Sequence, residues 1–165
     1  MKLRQISKEA IPAALEKAVR YRHLNEPAEA ESICLDVLEV DPENREALVA
    51  LLLALTDQFD HRLAEKLPRA LDVLSRLRDQ YQNEYYAGVI RERQAKAFLN
   101  RALPGSGEAG VGWLREAMQH YDKAAEIRPR GDDSAILRWN TCARIIMEEP
   151  EVAAEATGGG EEMLE

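Results

Sequence analysis

In "YRHLNEPAEAESICLDVLEVDPENREAL", residues 21–48, an aromatic, a run of small and apolar residues and a "DPEN" fall at intervals that no single helix accommodates. Pro27 and Pro42 each stand where a first helical turn would start, a position that tolerates a missing N–H. Between them Ala30, Cys34 and Val37 recur at the helical period. Asp41 or Asn44 offers a side-chain oxygen to cap the next helix. The stretch therefore reads as the end of one helix, the whole of a second and the start of a third.

The same period runs through most of the chain, and it predicts seven helices, near 8–24, 27–40, 43–58, 66–82, 84–102, 111–127 and 133–148. "LPGSGEAG" at 103–110 reads as a loop, because three of its eight residues are glycine. "RPRGDDS" at 128–134 ends one helix and offers Asp132 or Asp133 as the cap of the next. Connections this short pair consecutive helices as antiparallel hairpins. Residues 1–148 form a single helical domain on this reading, and 149–165 an acidic, disordered tail.

With 165 residues, 45% hydrophobic and 32% charged, the chain is long enough for a core and too apolar to be disordered. Ala, Leu, Glu and Arg abound while Val and Ile are sparse, which favours helix over strand. The net charge of −8 resides mostly in seven acids after residue 147, Glu148, Glu149, Glu151, Glu155, Glu161, Glu162 and Glu165, leaving the rest near neutral. An acidic balance argues against nucleic acid as a partner. The longest apolar run, "ALVALLLAL" at 47–55, is about half of a bilayer span, so no membrane partner is expected. Two distant cysteines suggest no disulfide framework, and no apolar leader opens the sequence; both point to the cytoplasm.

The pattern of the opening stretch returns. Ala117, Tyr121, Ala124 and Pro129 reproduce the spacing of Ala30, Cys34, Val37 and Pro42, while Ala18 with Tyr21 and Ala95 with Phe98 supply a small–aromatic pair on the helix before each. Between them, Leu52 and Leu55 pair with Ala70, Leu74 and Leu77. Over about residues 11–148 the chain resembles a tetratricopeptide repeat protein, whose helical hairpins carry small residues, an aromatic and a closing proline at such offsets. The resemblance implies an all-α, right-handed solenoid of about three and a half repeats with a terminal cap helix at "DDSAILRWNTCARIIME", facing inward through Ile136, Leu137, Asn140, Ala143 and Met147. Two departures stand beside it. Ala14 and Lys17 occupy places where the family has Trp and Leu, and the second and third hairpins carry extra residues.

No glycine-rich phosphate loop and no G-x-S-x-G elbow occurs. His23, His61 and His120 are isolated from one another and from ligand-spaced cysteines or acids, so neither metal nor cofactor is expected. Cys34 and Cys142 lie on apolar faces and read as small buried hydrophobes. Catalysis is not expected.

What the resemblance implies is a protein–protein interaction adaptor whose first helices line a concave groove. Its partner-binding residues would be Arg22, Val49, Leu53, Glu92, Arg93, Lys96, Asn140 and Arg144, with Asp57 beside them. The "YYAGVIRERQAK" helix at 85–96 adds tyrosines and cations suited to an acidic peptide. The family's chaperone-tail clamp is not expected: Arg93 fits it, but Leu15, Val19 and Ala50 stand where polar ligands belong. The acidic tail, tethered beside a basic groove, would compete with an acidic ligand. The alternative is a self-associating structural subunit, a homodimer formed through the all-round apolar "LVALLLALTDQF", should Leu51, Leu52, Leu53 and Leu55 exceed what neighbours can cover.

Overall fold

The structure is a computed structural model and describes residues 1–149; the acidic segment from 150 onward lies outside the described residues. Among these residues there are seven α-helices and no strand: α1 (Ile11–His23), α2 (Pro27–Val40), α3 (Arg45–Thr56), α4 (Phe59–Arg76), α5 (Gln80–Asn100), α6 (Ser106–Glu126) and α7 (Ser134–Glu148). A short 3-10 turn, Lys8–Ala10, leads into α1. The chain divides into two compact units, Met1–Asn83 and the part from Glu84 on, with the boundary inside α5.

Local chemistry accounts for the ends of most helices. Asn25 ends α1 in the left-handed region (φ 59°), where Asn is better tolerated than most residues. The Glu26 and Asn25 amides then donate back to the Tyr21 and Arg22 carbonyls, a Schellman-type closure. Pro27 opens α2 in its first turn. Pro42, by contrast, precedes α3 by three residues, and the cap is Asn44, whose side chain accepts the Ala47 amide at 2.9 Å. Asp79 accepts the Gln82 amide at 2.8 Å and starts α5 earlier than the sequence suggests. At α7 the Ser134 amide donates to Asp132 at 3.0 Å, while Asp133 pairs with Arg128.

Two boundaries differ from expectation for a packing reason. α4 begins at Phe59 rather than near 66, through a kink at Arg62 (φ −136°, ψ 34°). The extra turn buries Phe59 and continues the inward stripe Phe59, Leu63, Lys66, Ala70 and Val73. α6 begins at Ser106, so 106–110 of the expected 103–110 loop is helix. Gly110 is needed there: a Cβ on it would lie 2.6 Å from the Leu99 side chain. Close approach, not chain flexibility, explains that glycine.

In the first unit α2 packs on both α1 and α3, α3 on α4, and α1 also touches α3. Ala18, Ala30, Cys34, Val37, Leu52, Leu55 and Ala70 are fully enclosed. Each buried leucine contributes about 2 kcal/mol. α3 is covered almost all round, since Leu51, Leu52 and Leu55 are buried and Leu53 is half-open. In the second unit α6 packs on α7, and Ala95, Leu114, Ala117, Tyr121 and Ala124 are enclosed. A Cβ on Gly88 would come within 2.5 Å of the Tyr121 ring, so the aromatic lies directly on the α5 backbone.

α7 turns a different face inward from the one expected. Ala135 and Cys142 are its buried residues, whereas Leu137 and Met147 are 65% and 74% exposed and Ile136, Asn140 and Ala143 half-buried. Arg138 shares the inner face, at helical spacing from both buried residues, because it must reach the buried carboxylate of Glu92 on α5. That ion pair fixes the rotation of the helix.

Candidate partner-binding surfaces

On α3 the residues that are not buried after the first turn form one narrow line: Val49, Leu53 and then Asp57, four residues apart. Four-residue spacing keeps them on one side of the helix. Asp57 receives Arg22 of α1, from Nε at 2.7 Å and Nη2 at 3.3 Å. Three expected surface residues, Arg22, Val49 and Leu53, therefore belong to one patch of the first unit, half-open and apolar, with an ion pair at its end.

The first unit also holds a charge cluster that sequence reasoning missed. Glu31 of α2 accepts Lys66 Nζ at 2.9 Å, Arg69 Nη1 at 2.6 Å and Gln58 Nε2 at 2.7 Å. Burial pushes the Glu31 carboxyl up, but the three donors outweigh it and hold the group below the ordinary carboxylate range. Three of the links in this unit span similar lengths of chain, whereas Gln58–Glu31 spans 27 positions. Arg22–Asp57 and Glu31–Lys66 each join residues 35 positions apart, and the Arg76 Nη2 donation to the Pro42 carbonyl joins residues 34 apart.

The second unit has its own buried acid, Glu92. It was expected at the surface, and the structure encloses it completely. Lys96 Nζ donates to it at 2.6 Å, Tyr121 Oη at 2.6 Å and Arg138 Nη1 to both oxygens at 3.3 Å. Arg138 Nε also donates to the Tyr85 hydroxyl at 3.3 Å. Burial opposes ionisation, yet Lys96, Tyr121 and Arg138 together hold the Glu92 carboxyl low. The Tyr121 phenol is driven up by burial and by the Glu92 charge, and Arg138 is held up by Glu92 against its own burial. Glu92 is thus an internal anchor and not a contact residue.

This changes what the 85–96 helix can present. Lys96 is committed to Glu92, and Arg91 to α6, where it lies 4.9 Å from the Trp113 ring centroid and 3.3 Å from Glu116. Tyr85 packs edge-on to Tyr86. Arg93 is half-buried with interactions of its own. Asn140 is half-buried and Arg144 exposed, both on α7. Of the expected residues in this unit, Arg144 is the one left fully open.

Burial pushes the thiols of Cys34 and Cys142 up to about 12, which makes them unreactive. His120 is held by Glu84 at 2.8 Å. Among the described residues no three His, Cys, Asp or Glu side chains converge as a metal site, and no helix is long and apolar enough to cross a membrane. Comparison of the chain with protein-family models, with curated proteins and with solved structures finds no match.

Proposed function

We propose that the protein is a non-catalytic interaction module of the tetratricopeptide-like kind, holding a peptide or partner protein against the first helices of its hairpins. The observation that carries this is the α3 stripe, where Val49 and Leu53 stay half-open on a helix sealed elsewhere beyond its first turn, beside the Arg22–Asp57 pair. An apolar strip with a charged rim is the anatomy of a small binding surface. Full burial of Ala30, Cys34, Val37, Ala117, Tyr121 and Ala124 supports the repeat reading. On the second unit, Arg144 offers a charge contact to an acidic partner. Two free, buried thiols fit a reducing cytoplasm.

The rival reading, a subunit self-associating through α3, has less to draw on, since only one of the four leucines it invoked remains half-open. The test is capture of a partner by the full chain and by Leu53→Glu and Arg144→Glu variants shown by circular dichroism to be folded. Lys96 is left intact because a glutamate there would face Glu92. A partner held by the parent and lost by Leu53→Glu supports the reading. Equal capture by all three, or a mass that doubles with concentration and involves no other protein, ends it.

A further inference from the structure

A second surface of the first unit, sharing no residue with the α3 stripe, is built around arginines. Between the start of α3 and the end of α4 lies an open cavity of about 490 Å³, lined by Arg45, Arg76, Arg78, Glu43, Leu48 and Leu77 among others. Its charges do not balance. Three guanidinium groups face one carboxylate, and the single ion pair among them, Arg78 with Glu43, is long at 3.6 Å with side chains 87% and 83% exposed. Such a pair is worth little. Arg76 is aimed rather than neutralised: its Nη2 donates to the uncharged Pro42 carbonyl at 2.6 Å. The Ser75 hydroxyl on the rim donates to the Asp72 carbonyl at 2.6 Å, so its proton is already used.

The walls are fixed by capping. Asn44 holds the first turn of α3, whose amino end adds partial positive charge beside Arg45. Asn83 Nδ2 donates to the Leu74 and Leu77 carbonyls at 3.0 and 3.1 Å, which satisfies acceptors at the end of α4 that would repel an anion. The floor is apolar, from the nearly enclosed Leu48 and Leu77.

We infer that this cavity takes a phosphorylated side chain of a partner polypeptide. A phosphomonoester carries about −1.5 to −2 charges near neutral pH, which matches the surplus of the three arginines over Glu43, whereas a carboxylate carries half as much. Guanidinium forks address its oxygens two at a time. The volume and the apolar floor exceed what free phosphate fills and suit a side chain with its neighbours.

The experiment is calorimetric titration of the full chain with a short peptide carrying one phosphoserine between leucines, with its serine and glutamate twins, and with inorganic phosphate. The phosphopeptide binds at least about tenfold more tightly than either twin, and more tightly than inorganic phosphate. In Arg45→Ala/Arg78→Ala that preference falls by at least about tenfold, while Arg20→Ala on α1 leaves it unchanged. Both arginines are exposed, so the variant folds; Arg45→Lys/Arg78→Lys, which keeps the charge and loses the forks, lies between. The inference is overturned by equal affinity for the phosphorylated and plain peptides, by an unaffected double variant, or by inorganic phosphate binding as tightly as the peptide.

Discussion

Glu31 and Glu92 are two buried carboxylates, each held by two cations and a neutral donor, and they distribute burial in opposite ways. In the first unit the acid and its lysine are both inside, with Lys66 4% exposed, and Arg69 lies at the surface. In the second the acid alone is inside, and its cations Lys96 and Arg138 are 37% and 31% exposed. A buried ion pair is stabilising only while both members remain, because either one alone is a desolvated charge. A buried acid under half-exposed cations is more forgiving of the loss of one, since neither cation is itself desolvated and water reaches both. The same composition thus gives one brittle cluster and one tolerant cluster.

The largest test of that contrast is to remove the lysines. Lys66→Ala removes the enclosed cation and leaves Glu31 to Arg69 and Gln58, and should cost about 2 kcal/mol in urea unfolding, short of the about 3–5 kcal/mol for an acid left with no partner. Lys96→Ala should cost about 1 kcal/mol or less, after allowance for its exposure to solvent. Equal costs would break the comparison. Acid should act on both clusters with the same sign. Each carboxyl is held below its ordinary value of 4.5, so its contribution is complete above that pH and disappears as pH falls through the lower folded value. Unfolding free energy measured between neutral pH and pH 3 should therefore fall on the acid side, and Glu31→Gln should flatten that fall; an unchanged slope in the variant would remove Glu31 from the account. Gly88→Ala should cost about 1–3 kcal/mol by forcing the Tyr121 ring off α5, with the strain confined to the second unit. Asn44→Ala should cost about 1 kcal/mol through the lost α3 cap, and an effect within error would mean that water replaces it.

All seven helices were legible, because the apolar period is a local signal. The starts of α4 and α6 were not, since Arg62 bends a helix that the burial of Phe59 extends, and Gly110 lies inside α6 for the sake of Leu99. In both, tertiary packing overrides propensity. Val49, Leu53 and Asp57 were named from the offsets that the repeat resemblance implies, and the structure leaves all three partly open. Of the Glu92 cluster, only Lys96 could be read, at i+4; Tyr121 and Arg138 come from 29 and 46 residues away. The Glu31 cluster was not read either, since Gln58 and Lys66 come from 27 and 35 residues away.

The two cysteines, each fully enclosed, fall one in each unit, and their thiols are raised to about 12 by burial. Neither can be alkylated until the helices around it part. The pair therefore works as a built-in clock: labelling of Cys34 times the opening of the first unit, and labelling of Cys142 that of the second. Matching rates across a range of urea would mean that the units breathe together. Divergent rates would rank them, with no probe added to the chain.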